Sequence, residues 1–120
     1  MIKSFRDLEV YQQGHTLAIQ IHQVSLSFPK VEQMELASQI RTASKSIPLN
    51  IAEGYGRKRS AADFKRFLVM ALGSCNEVQA QLDVARDLKY ITEELYGELV
   101  SAFEVLGRRI YCLLQNWQSI

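Results

Sequence analysis

Seven apolar or small residues recur at alternating steps of four and three between residues 64 and 85, and this spacing constrains the fold more than any other feature. The pattern holds for three heptads, as in the seam by which helices pack in a left-handed bundle. The sequence therefore predicts a long helix with one face buried against other helices. The seam residues are Phe64, Leu68, Ala71, Cys75, Val78, Leu82 and Ala85.

Three other stretches repeat this apolar spacing, and helix-ending and helix-starting residues separate them. Pro29 ends the first, because the residue before a proline is pushed out of helical geometry. Gly54 and Gly56 stop the second, and Ser60 and Thr92 precede the third and fourth helices as N-caps. The three further stripes are Val10, Gly14, Leu17, Ile21, Val24 and Phe28; Leu36, Ile40, Ala43, Ile47 and Ile51; and Leu95, Leu99, Ala102, Leu106, Ile110, Leu113 and Trp117.

The connections between these helices are short, at about residues 29–31, 56–59 and 89–91. Short links between long helices make sequential neighbours antiparallel, so residues 1–120 are predicted to form a single all-α domain, an up-down-up-down four-helix bundle. Pro48 falls inside the second helix, where it removes the hydrogen bond to the Ser44 carbonyl, which we expect the Ser44 or Lys45 side chain or water to replace. Helical spacing resumes after the proline, which favours a kink over a break.

The composition is that of an ordinary globular protein. The chain is 48% hydrophobic and 22% charged, and no apolar stretch approaches the ~18 to 20 residues that span a bilayer. Acidic residues lie where a signal peptide needs an apolar stretch, so the expected location is the cytoplasm, without membrane contact. Cys75 and Cys112 are both at apolar helical positions, and we expect free core thiols rather than a disulfide.

The net charge is only +1, yet the predicted topology separates the charges into two ends. One end combines the start of the first helix, the turn after the second and the end of the fourth; there nine cations and four carboxylates give +5. At the other end, three cations and seven carboxylates give −4. The cations of the first end, here called the basic pole, are Lys3, Arg6, Arg57, Lys58, Arg59, Lys65, Arg66, Arg108 and Arg109. The charged residues of the second end, here called the acidic pole, are Lys30, Glu32, Glu35, Asp83, Arg86, Asp87, Lys89, Glu93, Glu94 and Glu98.

Five cations of the basic pole lie within residues 57–66, beside Tyr55 and Phe64, and such a cluster suits contacts with a phosphate backbone. The alternative is that the basic turn only keeps the protein solvated, and that the protein is an oligomeric interaction scaffold without nucleic-acid binding. The residues expected to bind RNA or single-stranded DNA are Arg57, Lys58, Arg59, Lys65, Arg66, Arg108 and Arg109.

The sequence shows no catalytic constellation, so we expect neither an enzyme nor a metal, a cofactor or a small-molecule substrate. His15 and His22 share a helix face but lie ~10 Å apart along the axis, too far to bind one metal ion. The carboxylates around Glu93 fall outside the apolar stripes, as on a solvated helix surface. Gly54 and Gly56 follow a helix rather than a strand, which argues against a nucleotide-binding glycine loop.

Several polar or small residues of the second and third helices are predicted to serve structure or assembly. Reflecting one helix onto the other across the turn places Glu77 near Arg41 and Gly73 near Ala43. We expect an ion pair at the first contact, within the chain or across a subunit boundary, and a close helix approach at the second. The full set is Arg41, Pro48, Asn50, Glu53, Gly54, Gly73, Ser74 and Glu77.

These segments also resemble a known family. From about residue 5 to residue 91, their order and spacing are similar to those of the small four-helix-bundle proteins encoded by intervening sequences in bacterial 23S rRNA genes. Met34-Glu35 departs from the family pattern, in which an aromatic residue followed by glycine is more frequent. The motifs are Phe28-Pro29 with Glu32, Gln39-Ile40, Ser46-Ile47-Pro48, Asn50-Ile51-Ala52-Glu53-Gly54, Phe64-Lys65-Arg66-Phe67-Leu68 and Ala71-Leu72-Gly73-Ser74-Cys75-Asn76-Glu77.

The resemblance implies a four-helix bundle that assembles into a ring-like homopentamer. It also implies kinship with the accessory variability protein of diversity-generating retroelements, a similar bundle that works with a reverse transcriptase and its RNA. The resemblance supplies no catalytic residue. Five copies of the basic pole on one face of a ring would form a concentrated positive surface. Apolar residues outside the seams also favour an oligomer: Ile19, Leu26, Val69 and Val100.

Overall fold

The chain folds into four α-helices in a computed structural model, which describes residues 1–117. The helices are α1 (Glu9–Ser25), α2 (Leu36–Gly56), α3 (Ala61–Asp87) and α4 (Glu93–Asn116). Short 3-10 turns at Phe5–Asp7 and Lys30–Glu32 precede α1 and α2. Residues 1–117 contain no β-strand, and the predicted all-α fold is confirmed.

The starts of α3 and α4 follow the local sequence signals, whereas α1 ends at Ser25, before the predicted end at Phe28 and Pro29, so the first connection is longer than predicted. Ser60 Oγ accepts from the Asp63 amide, and Thr92 Oγ1 accepts from the Leu95 amide, both at 3.1 Å. Each bond satisfies an amide that has no partner within the first turn of its helix, and both predicted N-caps are confirmed. α2 ends at Gly56, also as predicted.

The predicted seam of α3 lies at the centre of the core, where each of its seven residues is at most 1% exposed. Burial raises the pKa of the Cys75 thiol to about 12, because the thiolate would lose its hydration there. Both cysteines are free thiols, as predicted. The core position predicted for Cys112 is wrong: this residue lies on the exposed side of α4, next to the apolar stripe rather than in it.

α2 continues through Pro48 without a break, as predicted. The proline ring lies against α1 at Gly14, where an added Cβ would be 3.7 Å from Pro48 Cδ. Pro48 has no amide hydrogen, so the Ser44 carbonyl lacks its usual helical donor. The Ser44 hydroxyl donates to the Arg41 carbonyl at 3.1 Å, so of the three expected replacements for the missing donor this one is wrong, and the Lys45 side chain and water stay predictions. The kink stays a prediction.

α2 and α3 contact each other in opposite order along the chain. The Ser46 and Ser74 hydroxyls are hydrogen-bonded at 2.6 Å, whereas Gly54, farther along α2, meets Phe67, which comes earlier on α3. Gly73 faces open space, with no atom within 4 Å of an added Cβ. The close approach predicted there is therefore wrong, because the next residue of α3 is the one that faces α2.

A partly buried hydrogen-bond cluster closes the connection between α1 and α2, and we call Arg41, Ser25 and Gln33 the Arg41 cluster. Arg41 Nη1 donates to Ser25 Oγ at 2.8 Å and to Gln33 Oε1 at 3.2 Å, and Nη2 donates to the Gln33 carbonyl at 2.9 Å. Gln33 Nε2 in turn donates to the carbonyls of Ser25 and Phe28, both at 2.9 Å. The cluster fixes the connection to the end of α1.

The ion pair predicted between Arg41 and Glu77 within the chain is therefore wrong. The guanidinium group turns toward the Ser25 hydroxyl at the end of α1 and toward the Gln33 carbonyl, which needs a donor because it lies outside the α-helices. Glu77 is exposed and accepts a long hydrogen bond from Gln81, at 3.4 Å. An ion pair between Arg41 and Glu77 of two different subunits stays a prediction.

The α3–α4 connection is tied to the α1–α2 connection at the same end of the molecule. Tyr90 Oη donates to Glu32 Oε2 at 2.8 Å, and the Tyr90 ring centroid lies 5.6 Å from that of Phe28. This hydrogen bond raises the pKa of the Tyr90 phenol, because ionisation would replace it with repulsion between two anions. Lys89, just before Tyr90, has a φ of 65°, in the left-handed region that favours glycine.

Candidate nucleic-acid interface

The basic turn joins α2 to α3 and places cations on both helices. Arg57 is the C-cap of α2, and Ser60 is the N-cap of α3, so the turn itself spans only residues 57–60. Lys65 and Arg66 follow in the second turn of α3. The five cations predicted to form one cluster are thus grouped around a single helix-turn-helix junction, here called the junction and defined as residues 53–67.

Two guanidinium groups of the junction share one aromatic ring. Arg57 Cζ lies 5.2 Å from the centroid of the Phe67 ring, and Arg66 Cζ lies 4.6 Å from the same centroid. Lys58 Nζ lies 4.0 Å from the Tyr55 ring centroid and donates to Tyr55 Oη at 2.9 Å. Cation–π contacts of this kind restrain the charged groups while leaving them at the surface.

The rings beneath these cations are not available to nucleic-acid bases. Phe64 is fully buried, and Tyr55 and Phe67 are 7% and 8% exposed. Stacking of a base requires an open aromatic face. The junction therefore offers charge and hydrogen-bond donors, which suit phosphates, and offers no platform for reading bases.

Gly54 allows the two helices to approach closely beneath the arginines. An added Cβ would lie 2.7 Å from Phe67 Cβ and 3.0 Å from Phe64 Cδ1, which is closer than packed side chains tolerate. Of the two glycines predicted to stop α2, Gly56 is the last helical residue, whereas Gly54 is a buried residue within the helix. The reflection that pairs residue 41 with residue 77 brings Gly54 opposite Phe64, and this was the signal in the sequence that could have identified the contact.

Each of the two arginines is paired with a carboxylate of its own helix. Arg57 Nη2 lies 3.1 Å from Glu53 Oε2, and Arg66 Nη2 lies 3.7 Å from Asp63 Oδ1. The four side chains are between 44% and 55% exposed. Exposed helical pairs of this type contribute only ~0.3–0.5 kcal/mol, so both guanidinium groups can exchange partners at little cost. The sequence analysis counted these carboxylates in the charge balance of the basic pole, but it predicted no specific pairs and gave Phe67 no role in the site.

The C-terminal end of α4 leads to the junction, and the same part of α4 also contacts the first half of α1. The Trp117 ring packs edge-on against Phe64, with centroids 4.6 Å apart, although Trp117 follows the end of α4 rather than belonging to it as predicted. Arg109 Nη1 donates to Gln13 Oε1 of α1 at 3.0 Å. Together with Arg108 it lines an open groove of about 550 Å³ between α1 and α4.

The other polar residues singled out on α2 and α3 do not join this cation cluster. Asn50 Nδ2 donates to the Ser46 carbonyl of its own helix at 2.8 Å, and Ser74 bonds Ser46 across the helix pair. Within residues 1–117, no group of three or more His, Cys, Asp or Glu side chains is placed to hold a metal ion. None of the helices in this part of the chain is long and apolar enough to cross a membrane.

A family model described as "23S rRNA-intervening sequence protein" matches residues 6–112. The chain belongs to the 23S rRNA-intervening sequence protein family. The match includes the junction and Arg108 and Arg109, and it confirms the resemblance noted from the sequence motifs.

A crystal structure of a protein of unknown function from the S23 ribosomal protein family of Bacteroides thetaiotaomicron VPI-5482 is similar to this member of the intervening-sequence family. The TM-score is 0.81 at 23% identity, and the alignment covers 89% of this chain and 96% of that chain. At this identity the likeness shows the fold alone, which is the same all-α arrangement of four helices. A comparison with curated proteins gave no match.

Proposed function

We propose that this protein is a non-enzymatic RNA-binding protein that contacts the phosphate backbone through its basic pole. The junction carries the proposal, because two closely packed helices hold its cations over rings that are themselves buried. The family name supports the same class of ligand, since it refers to an rRNA gene. The sequence resemblance supports an accessory role beside an rRNA intervening sequence or a reverse transcriptase.

We further propose an antiparallel up-down-up-down bundle that assembles into a homopentamer in the cytoplasm. The opposite order of contacts along α2 and α3 supports the topology. Ile19, Leu26 and Val69 are each at least half exposed, which supports assembly, whereas Val100 is partly buried against the core of its own chain. Light scattering tests the assembly: a mass of five chains is expected, and a monomer at micromolar concentration contradicts it.

The RNA-binding proposal is tested by fluorescence anisotropy with a labelled oligouridylate over a range of salt concentrations. Binding is expected to weaken steeply with salt and to show little base selectivity, because the protein contacts phosphates. Replacing Arg57, Lys58 and Arg59 with Ser is expected to lower the log–log salt slope by about two, because each single-strand phosphate that is no longer neutralised lowers it by roughly 0.7.

A matched triple variant controls for the removal of three charges. Lys30, Lys45 and Lys89 are exposed and lie away from the junction, so their replacement with Ser is expected to change affinity far less. Circular dichroism and light scattering check that helicity and assembly are retained in both variants. Absence of salt-sensitive binding by the parent protein, or equal binding by parent and junction variant, contradicts the proposal.

The second candidate function is that of an interaction scaffold, and the α1–α2 connection favours it. Three large apolar side chains, Leu26, Val31 and Met34, are exposed within this connection, Met34 at 91%. The Arg41 cluster holds the same connection to α1, so these side chains are presented by a fixed segment. If the RNA experiment fails, this surface and the oligomer remain as the function.

A further inference from the structure

We propose that Arg57 and Arg66 form a two-arginine phosphate clamp on Phe67, and that Glu53 and Asp63 are its built-in counter-ions, which a phosphodiester backbone displaces on binding. The inference rests on the proposed RNA binding and specifies how that site works. Its ligand chemistry is neighbouring phosphates of one flexible strand, without contacts to bases.

The clamp depends on the shared ring. Both guanidinium groups lie within 5.2 Å of the Phe67 centroid, although one comes from the end of α2 and the other from the start of α3. Gly54 makes this possible, because any larger residue would separate the helices at Phe67. A guanidinium group held over a ring can still donate through two nitrogens, as Arg57 Nε and Nη2 do to Glu53 Oε2 at 3.3 and 3.1 Å, and such forked donors suit a phosphate.

The counter-ions explain how two like charges stay on one ring in the free protein. Glu53 and Asp63 each lie on the same helix as their arginine and neutralise it at 3.1 and 3.7 Å. Both pairs are about half exposed and therefore weak, so a phosphate displaces the carboxylates readily. In the complex these carboxylates face an anionic ligand, and their charge then opposes binding.

This arrangement predicts that removing the charge of either carboxylate increases the affinity for the nucleic acid. The neutral isosteric changes Glu53→Gln and Asp63→Asn are expected to strengthen binding of a labelled oligouridylate by roughly two-fold each and about four-fold together. This size corresponds to the small free energy of an exposed ion pair. The matched control is Glu9→Gln, which removes one negative charge from the same pole, in the groove lined by Arg108 and Arg109 rather than beside Phe67. Its gain measures the general effect of charge, and we expect it to be smaller than that of either clamp variant.

The decisive measurement is a double-mutant cycle with the arginines. Arg57→Met and Arg66→Met remove the charge but keep an apolar side chain against the Phe67 ring, and circular dichroism verifies folding. In this double background the two carboxylate changes are expected to strengthen binding no more than Glu9→Gln does. The four-fold gain in the parent background is expected equally for oligouridylate and oligothymidylate, since both present the same charged phosphodiester groups, although their sugars differ.

Two outcomes overturn the inference in distinguishable ways. If the parent binds but the carboxylate changes act equally with and without the arginines, or on one type of strand alone, the clamp is wrong and the proposed function stands. If the parent shows no salt-sensitive binding to either oligonucleotide, the clamp and the proposed function both fall.

Discussion

The two ends of α2 use arginine in opposite ways. Arg41 is partly buried and directs its donors to Ser25 and Gln33, which closes a connection. Arg57 and Arg66 lie at the surface on one ring and pair with the nearby carboxylates Glu53 and Asp63. A count of charges treats the three residues alike. The comparison teaches that a cation contributes to an interface only where the fold leaves its donors within reach of solvent.

The largest expected effect on stability is at the basic pole, where the shared ring of Arg57 and Arg66 depends on the close packing of α2 and α3. Gly54→Val is expected to lower the free energy of unfolding by about 3 kcal/mol, because its Cβ would overlap the Phe67 side chain. Urea denaturation followed by circular dichroism measures the change. Gly56→Val is the matched control, since nothing lies within 4 Å of a Cβ there. Equal destabilisation of the two variants would show that the close approach is not needed.

The next effect is at the opposite end of the same helix. Arg41→Ala is expected to lower the free energy of unfolding by about 2 kcal/mol, because it removes charge-assisted hydrogen bonds from partly buried acceptors. Lys45→Ala, one turn along the exposed side of α2, is expected to change it by less than about 0.5 kcal/mol. The same denaturation experiment applies. A destabilisation by Arg41→Ala as small as that of the control would remove the contrast between the two ends.

A smaller effect of opposite sign is expected in the α3–α4 connection of the acidic pole. Lys89→Gly is expected to raise the free energy of unfolding by up to about 1 kcal/mol, because glycine adopts a φ of 65° without steric cost. Lys30→Gly, at an exposed position with ordinary backbone geometry, is expected to be mildly destabilising. Thermal melts of the two variants distinguish these signs. Destabilisation by both would show that the left-handed geometry at Lys89 carries no strain.

The smallest effect is a pH dependence at the acidic pole. The hydrogen bond to Glu32 raises the pKa of Tyr90 above its ordinary value of 10.0, so the folded state favours the neutral phenol. Its contribution to stability is fully present below pH 10.0 and is lost as the pH rises through the folded-state pKa. Tyr90→Phe is expected to flatten this alkaline decline in thermal melts. Tyr111→Phe, an exposed tyrosine of α4, is the control, and identical profiles for parent and Tyr90→Phe would contradict the prediction.

Local patterns were enough to predict the helices. The spacing of the α3 seam indicated a buried face that the structure confirms, and the hydroxyl residues Ser60 and Thr92 cap the helices that they precede. These signals depend on neighbours within one or two turns, so they need no knowledge of the other helices. The same holds for the passage of α2 through Pro48, where helical spacing resumes after the proline.

The site could be predicted only in part, because contacts between helices depend on their relative rotation and shift. Gly73 is exposed, whereas the next residue, Ser74, forms a hydrogen bond to α2. The predicted close approach at Gly73 was therefore wrong by one residue. Arg41 likewise turned away from the helix that it was predicted to contact. The basic turn was found because charge is visible in sequence. Its ring was missed because Phe67 lies outside the strict seam.

Pro48 lies between the two ends compared above, and it interrupts the main-chain hydrogen-bond ladder of α2 at the Ser44 carbonyl. The Arg41 cluster and the Gly54–Phe67 contact lie on opposite sides of this missing bond, and thirteen residues separate Arg41 from Gly54, ~20 Å along the helix axis. The poles are in this sense modular: changes that tune nucleic-acid binding at one end can be combined with changes at the other, with additive effects.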